Sequence, residues 1–211
     1  MKFLNESRKD YLQFQLDEGH IDADPINQFD AWYHQACEHS PFEPNAMQLS
    51  TVSVDNHPSN RVVLLKSYNH DGFVFFTNYN SQKARDIAAN PTVALTFFWP
   101  SLEQQIRIEG RAEKVPESVS VAYFNTRPRD AQLSAWASDQ SAVVNNRVDL
   151  EKRMNEMREK FTHGVPKPEW WGGFIVVPCR FEFWQGRGNR FHDRLVYELK
   201  NDDWVTHRLC P

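Results

Sequence analysis

The first regular pattern in the chain is helical. Ile26, Phe29, Trp32 and Ala36 recur at helical spacing behind Asp24, a fitting N-cap, and Pro25, which suits a first turn. From Ala46 the period drops to two: AMQLSTVSV, RVVLLKS, GFVFFTN, TVALTFFW and EQQIRIEGRAEKV read as strands between turn clusters such as DNHPSN and YNHDG. SQKARDIAA interrupts them as a short helix, capped by Ser81 and stopped by Asn90-Pro91. Pro116 and Pro128 each sit in the first turn of a further helix. A longer helix follows near Val148, where Leu150, Met154, Met157 and Phe161 form an apolar core stripe and Asp149–Arg153 and Glu156–Lys160 are spaced to pair outside.

The chain then returns to strand with GFIVV, RFEFWQG, RFHDRLVYEL and DWVTHRL. About eight strands joined by hairpins predict a mainly β fold with peripheral helices (α+β), an antiparallel barrel or sandwich. Strands and helices do not alternate, and no GxGxxG or GxxxxGK[ST] loop occurs, which argues against a parallel nucleotide-binding sheet. Residues 1–20 are polar and mixed in charge and read as a mobile N-terminal arm, with 21–211 as a single domain.

Composition narrows the partners. A net charge of −4 argues against nucleic acid and anionic membrane as partners. The apolar runs are too short to span a bilayer, and the N-terminus lacks a signal-peptide core. Cys37, Cys179 and Cys210 are odd in number and scattered, which fits a reducing cytoplasm and neither disulfides nor a zinc site. The eight histidines show no metal spacing, so no metal is expected. Aromatics reach 13%, with seven Trp and fifteen Phe, enough to supply flat binding surfaces as well as core.

Several cation-bearing segments could carry chemistry. If RFHDRL is a strand, Arg190, His192 and Arg194 project from one face, either as a solvated edge or as an anion site with fork-shaped donors. The four apolar residues of RVVLLK suggest burial on both faces, with Arg61 and Lys66 pointing to opposite sides or snorkelling to water. SQKAR offers a helix N-terminus with Lys83 in its first turn, a ready phosphate site if Arg61 lies nearby. Tyr123 and Arg127 share a helix face if that helix reaches Thr126, and Trp184 in EFWQG is either core or a stacking wall. Several anionic groups on flat ligands explain these scattered cations better than one phosphate does.

RVVLLK, FFTN–SQKA, the glutamines before IRIEG, YFNTRPRD, WASDQS, WWGGF and EFWQGRGNRFHDR together resemble the FMN-dependent pyridoxine/pyridoxamine 5′-phosphate oxidases, from about Arg8 to the C-terminus. The resemblance implies an antiparallel FMN-binding split β-barrel and a cytoplasmic homodimer with FMN at the subunit interface. It implies oxidation of pyridoxine or pyridoxamine 5′-phosphate to pyridoxal 5′-phosphate, with O2 reduced to H2O2. FMN contacts would come from Arg61, Val62, Val63, Leu64, Leu65, Lys66, Phe76 and Thr77, and from Gln82, Lys83, Gln105, Gln140, Ser141, Trp184 and Arg194. Substrate contacts would come from Lys66, Tyr123, Arg127, Ala131, Arg190, Phe191 and His192, with Arg8, Lys9, Asp10 and Tyr11 closing over the ligand. Arg190 and His192 would be the catalytic pair.

Three positions depart from the family pattern: Gln82 where a basic residue is common, Ala131 where a serine is, and Phe191 where an aliphatic residue is frequent. Two other classes of function are open. A flavin- or pyridoxal-phosphate-binding split barrel without turnover would not need both Arg190 and His192. A stacking barrel for single-stranded nucleic acid would need a basic stripe, which is absent.

Overall fold

Helix α1 (Pro25–His39) starts where its cap predicts: Asp24 Oδ1 accepts the Ile26 N–H at 2.8 Å, and Ile26, Phe29, Trp32 and Ala36 are all buried. The computed structural model describes residues 15–39 and 43–211, and the arm residues Arg8, Lys9, Asp10 and Tyr11 lie outside them. Of the expected arm, residues 15–20 are described, and here Leu16 is buried and Arg208 donates to its carbonyl at 3.0 Å.

The strands are β1 (Ala46–Val52), β2 (Pro58–Leu64), β3 (Ser67–Asn69), β4 (Gly72–Asn78), β5 (Thr92–Trp99), β6 (Gln104–Lys114), β7 (Trp171–Gln185), β8 (Asp193–Lys200) and β9 (Asp203–Arg208). They form one nine-stranded sheet in the order β2-β1-β5-β6-β7-β4-β3, with β8 pairing β7 and β9 pairing β8. The helices after α1 are α2 (Gln82–Ala89), α3 (Glu117–Thr126), α4 (Arg129–Ala137) and α5 (Arg147–Lys160). Among the described residues no helix is long and apolar enough to cross a membrane.

GFIVV and RFEFWQG, read as two strands, are one. β7 pairs antiparallel with β4 as far as Val176 and with β8 from Arg180 onward. Pro178 falls in the gap between those two registers, where its missing N–H breaks neither ladder.

The residues group into two compact units. The first combines the described residues up to Leu49 with Ala94–Gly110 and Pro178–Pro211. Its core places Phe29 edge-on to Phe97 (centroids 5.1 Å apart) and Trp32 edge-on to Phe183 (5.2 Å), over fully buried Leu49, Leu95, Ile106 and Ile108. The second unit combines Ser50–Val93 with Arg111–Val177. Its core joins Phe124, Leu133, Ala135, Val165 and Trp171, with Met154, Met157 and Phe161 of the expected α5 stripe packed against them.

Three local expectations need correction. Leu150 stands at the open end of the α5 stripe, 37% exposed. The ion pairs of α5 are rearranged: Arg153 reaches Asp139 at 3.3 Å, Arg147 meets Glu151 at 2.9 Å, and Lys160 lies over the Trp136 ring. RVVLLK is not buried on both faces, since the strand ends at Leu64 and Val62 is 65% exposed. Among the described residues β2 is the last strand in the sheet order, next to β1, which leaves it an edge.

Candidate active site

The second unit contains a cavity of about 990 Å³, walled by β2, the end of β4, the start of α2, the α3–α4 junction, residues 138–141 and Trp171. Arg61, Val62, Val63, Leu64 and Lys66 line it from β2 and the residues after it; Phe76 and Thr77 line it from β4. Gln82, Lys83, Tyr123, Arg127, Ala131, Gln140 and Ser141 complete the predicted residues found there. Leu65 is buried and does not line the cavity.

One end of the cavity is a cluster of donors. Ser81 takes the N-cap position of α2, but its hydroxyl makes no cap bond and instead accepts from Lys83 Nζ at 3.2 Å. Lys83 is buried, and its ammonium also donates to Thr77 Oγ1 and to Gln140 Oε1, each at 3.1 Å. Thr77 Oγ1 at 3.0 Å and the Asn78 N–H at 3.4 Å converge on that same Gln140 oxygen. A neutral amide oxygen thus collects three donors, one of them cationic, at the start of a helix.

Burial pushes the Lys83 ammonium down to about 8, and the neighbouring Arg61 charge pushes the same way. Arg61 donates from Nη1 to Thr51 Oγ1 at 2.7 Å, and its Nη2 lies 3.8 Å from buried Asp86. Gln82 gives its backbone N–H to Ser141 Oγ at 3.1 Å and its side-chain amide to Ser59 Oγ at 2.9 Å.

The other wall is aromatic. Phe76 and Tyr123 stack with centroids 4.0 Å apart and planes within 17°, and Trp171 lies 5.4 Å from Phe76, inclined by 10°. Gly173 makes room for this stack: a Cβ there would stand 2.9 Å from Phe76 Cε1 and 2.8 Å from Val115 Cγ2. Pro128 disfavours helical backbone at the residue before it, so α3 stops and Arg127 turns extended (φ −71°, ψ 144°). The Arg127 guanidinium then lies 4.6 Å from the Trp171 ring centroid. Its Nη1 is buried with no hydrogen-bond partner among the described residues, and burial lowers the pKa of the group.

Gln105, Trp184, Arg190, Phe191, His192 and Arg194 belong to the first unit and do not line this cavity. Arg190, His192 and Arg194 do not share a strand face by alternation, because β8 begins only at Asp193. Arg190 ends a 3₁₀ turn (Gly188–Arg190), and both Asn189 (φ 57°) and Arg190 (φ 62°) are left-handed, which no strand accommodates. His192 packs its ring 4.7 Å from that of Trp184, and Trp184 is the cross-strand partner of Arg194. Ser59, Asn60, Asn78, Thr126, Ser134, Ser138 and Trp171 line the cavity without having been singled out. For Trp171 a signal existed: an aromatic residue directly before two glycines.

Comparison with known proteins bears on this geometry. Residues 34–161 match the family model described as pyridoxamine 5′-phosphate oxidase, and residues 171–211 match the pyridoxine 5′-phosphate oxidase C-terminal dimerisation region. The chain is 50% identical over 209 residues to a pyridoxine/pyridoxamine 5′-phosphate oxidase 2 of Hydrogenovibrio crunogenus, covering 99% of this chain and 98% of that one. It is 48% identical over 212 residues to a pyridoxine/pyridoxamine 5′-phosphate oxidase of Leptospira biflexa, covering all of both. Among solved structures, PhzG from Burkholderia lata, crystallised with tetrahydrophenazine-1-carboxylic acid, superposes with a TM-score of 0.89 at 28% identity, over 95% of this chain and 100% of that one. A pyridoxamine 5′-phosphate oxidase-related FMN-binding protein from Nostoc punctiforme superposes with a TM-score of 0.71 at 16% identity, over 90% and 100%.

Proposed function

The chain belongs to the pyridoxamine 5′-phosphate oxidase family, a family of oxidoreductases, and from that premise we propose that it is an FMN-dependent oxidase of pyridoxine and pyridoxamine 5′-phosphates. Its fold is the antiparallel split barrel of that family, mainly β with peripheral helices. Pyridoxine 5′-phosphate and O2 give pyridoxal 5′-phosphate and H2O2; pyridoxamine 5′-phosphate, O2 and water give the same products plus ammonia. When bound, FMN supplies the two-electron acceptor for the C4′ oxidation and the route to O2.

The observation that carries this reading is the pairing, in one cavity, of a donor cluster at a helix start with a stacked aromatic wall bearing an orphaned guanidinium. A flat phosphorylated cofactor and a flat phosphorylated substrate need just those two kinds of surface. The residues fit FMN. Lys83, Arg61, the Gln82 N–H and Ser141 form a cationic, donor-rich cradle for its phosphate, which would take over the acceptor role of Gln140 Oε1. Gln82 stands there as a neutral donor.

Arg127 and Tyr123 hold the substrate phosphate, with Lys66 alongside. Ala131 brings no hydroxyl to that group, and a lost hydrogen bond to a charged partner lowers affinity by about 1–3 kcal/mol. Gln105, Trp184, Arg190, Phe191, His192 and Arg194, absent from the cavity wall, are the contribution assigned to a partner subunit. The C-terminal dimerisation match supports a homodimer. Arg8, Lys9, Asp10 and Tyr11 cover the substrate, and the enzyme works in the cytoplasm.

The test is direct. The purified protein should be yellow, sediment as a dimer and release H2O2 on addition of pyridoxamine 5′-phosphate. A flavin-loaded dimer with no turnover would leave the reading of a non-catalytic flavin-binding split barrel in its place.

A further inference from the structure

We propose that Thr51 is a positioning residue for the cofactor phosphate: its hydroxyl, aimed by the Asp86 carboxylate, holds the Arg61 guanidinium in place before that phosphate arrives. The proposal rests on the FMN reading for its ligand, and on the geometry of β1, β2 and α2 for the latch itself.

The three side chains form a chain with one direction. Thr51 is buried near the end of β1, and its hydroxyl donates to Asp86 Oδ2 at 2.7 Å. A hydroxyl has one proton and two lone pairs. With the proton committed to Asp86, the Thr51 oxygen meets Arg61 as an acceptor, and Arg61 Nη1 donates to it at 2.7 Å. The same Nη1 donates to the Ser59 carbonyl at 3.4 Å, and Nη2 stands 3.8 Å from Asp86 Oδ2. Asp86 is also buried, one turn beyond Gln82 and Lys83 in α2. The helix that presents Lys83 to the cavity thus also carries the anion that sets the Thr51 hydroxyl.

Arg61 needs such a hold. It lies on the edge strand β2 and lines the cavity, with its side chain 20% exposed. The Arg61 charge pushes the Lys83 pKa down, which shows two cations close enough to repel. Before a phosphate joins them, that repulsion and the rotamer freedom of a long side chain both favour Arg61 swinging toward water. Asp86 opposes the first: burial lowers the Arg61 pKa and the Asp86 charge raises it. Thr51 opposes the second by fixing where Nη1 points. The ordering cost is then met when the chain folds and not when the ligand binds. With Gln82 neutral, the cradle draws its charge from Arg61 and Lys83, so the placement of each counts for more.

Riboflavin carries the flavin ring and ribityl chain of FMN without the phosphate, so the ratio of its Kd to that of FMN reports on the cradle alone. Flavin fluorescence titrations of the full-length protein, stripped of flavin, give both constants. Thr51→Val should lower the ratio by about 3–10-fold, the cost of ordering one long side chain at the moment of binding, with the riboflavin Kd unchanged. Thr51→Ala, which puts no methyl group where the hydroxyl stood, should give the same result if the valine variant folds poorly. Thr51→Ser keeps the hydroxyl and should restore the wild-type ratio. In an Arg61→Gln background, Thr51→Val should change the ratio no further, because the group it positions is gone. Equal weakening of both flavins, an unchanged ratio, or a loss that adds to that of Arg61→Gln would each overturn the proposal. A wild type that binds both flavins equally would overturn the phosphate cradle itself, and that result is visible before any variant is made.

Discussion

One carboxylate oxygen of Glu182, Oε1, accepts both Nε and Nη2 of Arg194 at 2.8 Å, in a side chain only 2% exposed. Its other oxygen accepts from Arg107 at 3.2 Å and Arg180 at 3.4 Å, and Arg194 Nη1 donates to the Cys210 carbonyl at 2.9 Å. The guanidinium assigned to the flavin is thus held from behind by a buried anion and by a main-chain oxygen. A buried carboxylate is tolerated when it is fully paired, and this one faces three guanidiniums.

Removing that anion strands the cations around it. Glu182→Ala should lower stability by about 3–5 kcal/mol, the usual result of breaking a buried pair from one side, and should weaken FMN binding. Glu182→Gln, which keeps shape and one acceptor, should lose less of both. Chemical denaturation and flavin fluorescence report the two effects, and an alanine variant as stable as wild type would show the cluster to be ornamental.

Lys83 makes the donor cluster sensitive to pH. Its folded pKa of about 8 lies below the ordinary lysine value, about 10.4. Between those two values the unfolded chain binds more protons, so stability of the flavin-free protein should rise as pH climbs from about 8 toward about 10.4. Phosphate binding should run the other way, since it favours the charged ammonium and weakens as that charge is lost. Lys83→Met should flatten both profiles. Urea titrations and FMN affinities at pH 7.5, 9 and 10 check this, and an equal slope in the variant would assign the effect elsewhere.

Arg127 is the clearest place to separate substrate from cofactor. Its Nη1 has no partner among the described residues while its plane lies over Trp171. Arg127→Ala should raise the substrate KM by about 10–150-fold, equivalent to a charged hydrogen bond of about 1.5–3 kcal/mol, and should leave flavin content unchanged. Arg127→Lys should restore little, because a point-like ammonium cannot stack as the guanidinium does. Loss of flavin from the alanine variant would place Arg127 in the cofactor site instead.

Gly173 tests the aromatic wall. Gly173→Ala drives a methyl group against Phe76 and Val115, an overpacking expected to destabilise by about 1–3 kcal/mol. Because Phe76 stacks on Tyr123, the substrate KM should rise with the loss of stability. A variant with normal KM and melting temperature would mean the stack repacks without consequence.

Local rules wrote much of this protein into its sequence. The Asp24 cap, the stop at Asn90-Pro91 and the α3 break before Pro128 depend on neighbours a few residues away, so their positions are legible without a fold. The segments RVVLLK, SQKA and RPRD likewise pointed to residues that now line one cavity, since each carries its own strand end or helix start. What the sequence could not decide depends on partners distant in the chain. β7 is one strand because β4 and β8 divide its length between them and Pro178 falls where neither needs an N–H. Arg153 pairs with Asp139, fourteen residues back in another segment, and not with Asp149 one turn before it in its own helix, a choice that helical spacing alone does not foresee. Arg190 leaves the strand alternation for a left-handed turn, and periodicity is blind to such a turn because it assumes the regular backbone it is used to infer. His192 Nδ1 accepts from an amide five residues back in that same turn. Side-chain identity named these residues as chemistry; only the tertiary backbone decided which atoms they present.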